Sequence, residues 1–421
     1  MEKLEVFGVS KLKGQVKISG SKNASLPILA ATLLSDKKIF LNNLPKVKDI
    51  ETMLSLLRSL GSKIKISKKS KIVEIDNSKI VKTIAPYELV KTMRGSILVL
   101  GPLLARFHKA KCSMPGGCNL GLRPIDIHLK ALSKLGVKYK IIKGYVNASA
   151  PKGLIGTKIK FPKISVGATE NIIIAASLAK GQTTLSNCAI EPEIKDLVNF
   201  LNKMGSKIVW TGKRTVKISG VKNFKKLNYK VMFDRIEAGT MLVAGALNQG
   251  DLKISDVNPN IIKTEINILK KIGAKIKIKS NEIHIKGRKK IKNINLKTAP
   301  YPGFPTDLQA QMMVLLCKAD KRSTIREEIF ENRFMHVAEL KRMNAKIKIK
   351  GNKAFIEGNT NFQSAELMAT DLRASISLVL AALCAKGKST IQRIYHLRRG
   401  YENLENKLNK IGAKIKRVDN D

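Results

Sequence analysis

A chain of 421 residues, 43% of them apolar, has room for two or three domains with substantial cores, which excludes an intrinsically disordered protein. The formal net charge of +47 invites a nucleic-acid partner, but the lysines recur singly along strands and polar helix faces and aromatic residues amount to 5%, so no nucleic-acid surface is expected. Five cysteines without paired spacing, no C-x-x-C, no H-E-x-x-H and no apolar run near ~18 residues argue against a disulfide scaffold, a metal site and membrane insertion.

The chain opens with MEKLEVFGVSKLKG, which lacks the charged cap and apolar run of a targeting signal, so a cytoplasmic location is expected. LEVFGV and GQVKISG carry strand patterning ahead of any helix, and the first twenty residues are expected to complete the sheet of the last repeat. One phrase then returns six times: LGSKIKI (60–66), LGVKYKI (135–141), MGSKIVW (204–210), IGAKIKI (272–278), MNAKIKI (343–349) and IGAKIKR (411–417). Their second positions, residues 61, 136, 205, 273, 344 and 412, stand 68 to 75 apart. That period exceeds the common solenoid repeats, so each copy holds several elements.

The phrase has a physical reading. Ahead of its first copy, Ile50, Met53, Leu54, Leu57 and Leu60 share one helical face. The glycine sits where a left-handed helix cap belongs, and an alternating strand follows. Asn344 replaces glycine in the fifth copy, and asparagine is the next most tolerant residue there. In AKIKIK (274–279), Ala274, Ile276 and Ile278 are expected to face one way and the lysines the other. Between copies lies a second phrase, a helix of small and apolar residues, a break and a strand, as in NASLPILAATLLSDKKIFLNN and RIEAGTMLVAGALNQGDLKIS. Helices apolar on most faces are buried. The chain therefore reads as α/β, with six units of about 70 residues in two groups of three, helices inside and sheets outside.

Unusual polar residues stand at or beside the starts of the buried helices. They are Lys22 and Asn23 in GSKNASLP, Arg94 in KTMRGS, Asp307 in FPTDLQAQ, and Asp371 and Arg373 in ATDLRAS. Glu331 and Arg333 in ENRFMH and Arg399 in RRGYE join them. Helix N-termini collect anions through free N–H groups and the dipole, so cations repeated at these places suggest a polyanionic substrate held between two halves. One loop stands apart. PGGCNLGLRP (115–124) sets three glycines and two prolines around Cys118 and Arg123. It is either a platform for chemistry on an anion or a surface turn with an incidental cysteine. The other cysteines, Cys112, Cys188, Cys317 and Cys384, lie in strand-like or apolar helical segments, where cysteine is a small core residue.

With these residues in view the chain resembles the enolpyruvyl transferases. GSKNA, PGGCNLGLRPIDIH, SVGAT, EPEI, DRIEAGT, PTDLQAQ, ENRFMH, TDLRAS and RGYE occur in family order at family-like spacing over essentially the whole chain. The resemblance implies a two-domain inside-out α/β barrel of three repeats per domain. Residues 22–232 would form the first domain, carrying the cysteine loop (112–124), and residues 1–21 with 233–421 the second, with the active site in the cleft between them. It implies transfer of the enolpyruvyl group of phosphoenolpyruvate to the 3'-hydroxyl of UDP-N-acetylglucosamine by addition and elimination, with no metal or organic cofactor.

The resemblance also implies roles. Cys118 is the general acid and can carry a phosphoenolpyruvate adduct. Asp307 is the base or orienting group at the sugar hydroxyl, with a helix N-cap as its simpler reading. Lys22, Arg123 and Arg399 hold the phosphate and carboxylate of phosphoenolpyruvate, and Asn23 contacts the sugar or the intermediate. Arg94, Arg123, Pro124, Ile125, Asp126, Ile127, Lys163, Ile164, Ser165, Val166, Gly167 and Ile329 line the UDP-sugar site, joined by Arg333. Ser165, Val166 and Gly167 suit phosphate contact through backbone amides. Asp371 and Arg373 act behind the substrate or in a proton relay, with surface ion pairing as the simpler reading. The substrates are small molecules, no nucleic acid or membrane is involved, and a monomer is favoured. Gly95 and Leu120 depart slightly from the family's usual small or apolar residues. Two rivals remain: an enolpyruvylshikimate phosphate synthase, against which the cysteine loop speaks, and a basic nucleic-acid-binding repeat protein.

Overall fold

The computed structural model describes residues 2–9, 11–67, 69–114 and 125–419. Its strands form six four-stranded sheets of one design. In the second repeat, Ile84–Ala85 runs parallel to Lys109–Ser113, which pairs antiparallel with Tyr145–Ser149, which pairs antiparallel with the edge strand Lys138–Ile142. A buried helix joins the two parallel strands, because a parallel pair needs a crossover. An amphipathic helix, here Asp126–Lys134, leads to the edge strand, and a hairpin closes the sheet.

The buried helices, numbered in chain order, are α1 (Lys22–Ala31), α2 (Leu100–Phe107), α3 (Val166–Ala176), α4 (Arg235–Ala246), α5 (Gln309–Cys317) and α6 (Leu372–Leu383). Every residue of α4 and α5 is buried; apart from Arg235, Glu237, Gln309 and Gln311 near their starts, the side chains are small or apolar on all faces. The amphipathic helix Lys48–Leu60 instead buries one stripe, Asp49, Ile50, Met53, Leu54, Leu56, Leu57 and Leu60. The residues after the amphipathic helices are left-handed in all six repeats: Gly61 (φ 115°), Gly136 (97°), Gly205 (117°), Gly273 (108°), Asn344 (73°) and Gly412 (98°). The cap reading therefore holds, asparagine included.

The strands that follow these caps differ from expectation in one respect. Their lysines do face solvent, but each strand lies at a sheet edge, so cover of the apolar positions is uneven: Ile208, Ile347 and Ile415 are buried, whereas Ile278 remains 49% exposed. The opening residues divide between two sheets. Lys3–Phe7 inserts between Lys388–Gln392 and Lys414–Val418 and completes the sixth sheet. Lys13–Lys17 instead lies parallel to Asp251–Ser255 in the fourth sheet. Reciprocally, Leu227–Lys230, which precedes α4 in the chain, pairs with Ile39–Asn42 after α1.

The chain divides into two compact units, one of the described residues from 2 to 19 and from 233 to 419, the other of those from 20 to 232. Each has its own core. One core runs from Ala24 to Val231 around α1, α2 and α3; the other takes Leu4 to Ile18 and Ile236 to Ile415 around α4, α5 and α6. In both, helices lie inside and sheets outside. Among the described residues no helix is long and apolar enough to cross a membrane.

Candidate active site

In the unit spanning 20–232, Ser21 caps α1 by accepting the Ala24 N–H at 3.2 Å. The cap leaves Lys22 and Asn23 in the first turn, where the dipole favours anions. Lys22 Nζ lies 3.2 Å from Asp49 Oδ2, and both side chains are nearly buried. Sequence reasoning did not single out Asp49, although a signal was there: it shares a helical face with Met53, Leu56 and Leu60, so a carboxylate sits on a buried stripe. Arg94 opens the 3-10 turn Arg94–Val99. A Cβ on Gly95 would stand 3.0 Å from Leu26 Cδ1, so the Arg94 turn lies against the first coil of α1.

His128 is a second residue missed from sequence. It is buried on the helix Asp126–Lys134, and Asn171 of α3 lies 3.1 Å from its Nδ1. The Gly101 N–H donates to Asn171 Oδ1 at 2.9 Å, and a backbone N–H can only donate. The Asn171 amide is thereby oriented with its NH2 toward the ring, so Nδ1 accepts and the proton of the neutral ring sits on Nε2. Burial first and the charge of Arg94 second, against an opposing pull from Asp126, push the His128 pKa down to about 4. The ring edge stands over Gly167, where a Cβ would meet Cε1 at 3.3 Å and Nε2 at 3.4 Å. A neutral N–H donor is thus presented at the start of α3, which Ser165 caps through the Ala168 N–H at 3.4 Å. The first-turn amides of Val166 and Gly167 have no acceptor within their own helix. With Arg94 they form a donor set of the kind that binds phosphate.

Around this set, Ile125 and Ile127 are buried, and Asp126 is half-buried, 3.7 Å from Lys130. Lys163 and Val166 are exposed, while Ile164, Ser165 and Gly167 are half-buried. Cys118, Arg123 and Pro124 lie outside the described residues.

In the other unit, Asp307 is gripped from both sides. Its Oδ1 accepts from Arg333 at 2.7 Å and its Oδ2 from Arg373 at 2.8 Å. The arginine side chains are 4% and 7% exposed, whereas that of Asp307 is 26% exposed. Asp307 is not the N-cap residue expected of it: the turn Thr306–Leu308 starts from Pro305 and α5 from Leu308. Arg373 also donates to the Tyr401 hydroxyl at 3.3 Å, which lies 2.9 Å from the Thr240 hydroxyl. Burial would lower the Arg373 pKa, but the charges of Asp307, Tyr401 and Asp234 together with the Asp307 hydrogen bond outweigh it and the net shift is upward. A carboxylate so held presents lone pairs in a fixed direction, as orientation of a hydroxyl requires.

Asp371 and Arg373 do not pair with each other's side chains on the surface. Asp371 caps α6, its Oδ1 accepting from the backbone of Arg373 at 2.8 Å and of Ala374 at 3.1 Å, while the Arg373 guanidinium is buried against Asp307. Beyond the cap stands His396, whose pKa is lowered by burial and then by Arg399, with Asp371 pulling the other way. Asp371 and Arg399 therefore both lie close enough to act on His396. Arg399 ends the turn Ile394–Arg399, and Ile329 is half-buried in the loop before Arg333.

The profile of the family described as EPSP synthase (3-phosphoshikimate 1-carboxyvinyltransferase) matches residues 6–408. The UDP-N-acetylglucosamine 1-carboxyvinyltransferase of Pelagibacter ubique (strain HTCC1062) is 74% identical over 419 residues, covering 100% of both chains. The protein of the same name from Geotalea uraniireducens (strain Rf4) is 49% identical over 418 residues, 99% of this chain and 100% of its own. Among solved structures, the enolpyruvyl transferase NikO from Streptomyces tendae matches with a TM-score of 0.89 at 24% identity over 99% of each chain. The EPSP synthase from Acinetobacter baumannii matches with a TM-score of 0.77 at 19% identity over 100% of each chain. At those identities the two structures speak for the shared inside-out α/β fold alone.

Proposed function

The chain belongs to the enolpyruvyl (carboxyvinyl) transferase family, and from that premise we propose that it transfers the enolpyruvyl group of phosphoenolpyruvate to the 3'-hydroxyl of UDP-N-acetylglucosamine, releasing phosphate. The observation that carries the choice of acceptor is the 74% identity, over the whole of both chains, to a protein named for that sugar nucleotide. The reaction is the first committed step of peptidoglycan synthesis, performed in the cytoplasm by a monomeric enzyme.

In the addition, the sugar oxygen bonds to C2 of phosphoenolpyruvate while the methylene carbon gains a proton. In the elimination, C2 loses phosphate and the methyl carbon returns a proton, restoring the double bond. Cys118 supplies the proton to carbon; an ordinary thiol pKa of ~8.5 keeps it protonated at neutral pH yet able to ionise. Ionised, it can also bond to C2 and hold phosphoenolpyruvate as an adduct. Asp307 orients the sugar hydroxyl and takes its proton, with Arg333 and Arg373 holding the carboxylate still. Lys22, Arg123 and Arg399 neutralise the phosphate and carboxylate of phosphoenolpyruvate, and Asn23 contacts the sugar. Arg94, the segment from Arg123 to Ile127, the segment from Lys163 to Gly167, and Ile329 hold the UDP-sugar. The phosphate-type donor set around His128 and α3 supports that assignment. Asp371 and Arg373 act through the groups they hold.

Phosphate release tests the reading. With phosphoenolpyruvate present, release is expected to require UDP-N-acetylglucosamine and to be absent with shikimate 3-phosphate. The reverse pattern would identify an enolpyruvylshikimate phosphate synthase, the activity for which the matching family profile is named. Release with neither acceptor, alongside tight RNA binding at physiological salt, would end the enzyme reading. In the same assay Cys118→Ser is expected to lose most turnover, and full turnover in that variant would remove the thiol from the chemistry.

A further inference from the structure

Glu327 follows the strand Ser323–Arg326 and continues its alternation, in phase with the buried Ser323 and Ile325. Its side chain is buried and accepts four hydrogen bonds. Oε1 takes the Thr298 hydroxyl at 2.9 Å, the Ile329 N–H at 2.9 Å and the Phe330 N–H at 3.2 Å. Oε2 takes the Thr306 hydroxyl at 2.9 Å. The Thr298 hydroxyl in turn accepts the Glu328 N–H at 2.9 Å. A carboxylate offers about four lone-pair sites, and all four of these bonds, three on Oε1 and one on Oε2, are made to groups of the protein itself.

Three of the four donors come from segments that carry candidate site residues. Thr306 immediately precedes Asp307. Ile329 and Phe330 lie in the loop ahead of Arg333, and the Arg333 guanidinium stands 5.5 Å from the Phe330 ring centre. Thr298 and Thr306 bracket the intervening turn, which contains the cis Tyr301–Pro302 bond. One buried carboxylate therefore ties the backbone that presents Asp307 to the loop that presents Ile329 and Arg333.

We propose that Glu327 is a positioning residue for the sugar nucleotide. It sets the spacing between the Ile329 loop and Asp307, so that a sugar resting on the loop meets the carboxylate with its hydroxyl. The inference rests on the acceptor assigned above. Phosphoenolpyruvate, assigned to Lys22, Arg123 and Arg399, is not held by either segment, so a fault in this tie acts on one substrate and not on the other.

Steady-state kinetics of the full chain with Glu327→Ala, Glu327→Asp and Glu327→Gln, together with calorimetric binding of UDP-N-acetylglucosamine, test it. Glu327→Ala is expected to raise KM and Kd for the sugar nucleotide roughly tenfold or more and to lower kcat, with KM for phosphoenolpyruvate within about twofold. Glu327→Asp, one methylene short of its donors, should show the same selective effect, and it carries the test if the alanine variant does not fold. In Glu327→Gln the amide oxygen can take the three bonds of Oε1 while the Thr306 hydroxyl turns to accept from the NH2, so most of the loss should be recovered. A rise in KM equal for both substrates, no rise at all, or a glutamine variant as impaired as alanine would overturn the role of Glu327. Wild-type enzyme inactive with UDP-N-acetylglucosamine would overturn the acceptor reading and this inference with it; an active wild type with unaffected variants overturns this inference alone.

Discussion

Asp307 lies between Arg333 and Arg373, which hold one carboxylate oxygen each. Two nearly buried guanidiniums side by side are tolerable only with an anion between them, so Asp307→Ala should cost about 3 kcal/mol of stability as well as turnover. Calorimetric unfolding checks this, and an unchanged transition would mean that water already solvates the arginines. The carboxylate was legible as a candidate site residue, because TDLQAQ stands at a repeated position; its partners, 26 and 66 residues away, were not. Asp49, His128 and Glu327 show a related limit. Each sits on the buried phase of its helix or strand, so periodicity marks it as a polar residue facing inward. Periodicity does not say whether it will find Lys22, Asn171 or a set of hydroxyl and backbone donors there. A buried polar group has to be satisfied, but the partner is a property of the packed neighbour.

At the scale of the element, the turn from amphipathic helix to edge strand is the most legible feature of the chain, since its chemistry is local. The positive φ needs glycine or asparagine, the helix before it needs a stripe, and both lie within about two dozen consecutive residues. Gly205 tests the point: a Cβ there would come no nearer than 3.8 Å to any atom, yet φ is 117°. Gly205→Ala should therefore destabilise by roughly 1 kcal/mol or more through backbone strain without a clash, and Asn344→Gly should be neutral or stabilising by a few tenths. Urea unfolding of both variants checks the pair, and a costless Gly205→Ala would show that the left-handed cap is dispensable. The strands beyond the caps were half legible. Their alternation was readable, but their position at a sheet edge was not, and that position explains the lysines. An unpaired edge invites strand-to-strand association, and charges along it oppose that.

For the whole molecule the dominant fact is a net charge of +47. Charge on that scale is expected to repel itself in the folded state and to attract anionic substrates, and salt weakens both effects. Raising ionic strength from about 0.01 to 0.1 M shortens the screening length from about 30 to about 10 Å. The melting temperature should rise over that range while kcat/KM for UDP-N-acetylglucosamine falls. A melting temperature that drops would mean that the lysines work mainly in ion pairs. The topology adds a second molecule-wide feature, the exchange in which Lys13–Lys17 joins the fourth sheet and Leu227–Lys230 the first. By itself the sequence determined the six repeats, their caps, their buried helices and the family, because these depend on residue type and spacing along a continuous stretch. Only the tertiary structure decided which sheet each exchanged strand joins, that Asp307 lies between Arg333 and Arg373, and that Glu327 gathers two loops. Those outcomes are chosen by burial and hydrogen-bond satisfaction between segments far apart in the chain, where one strand pattern or one inward carboxylate is compatible with many partners until the core closes.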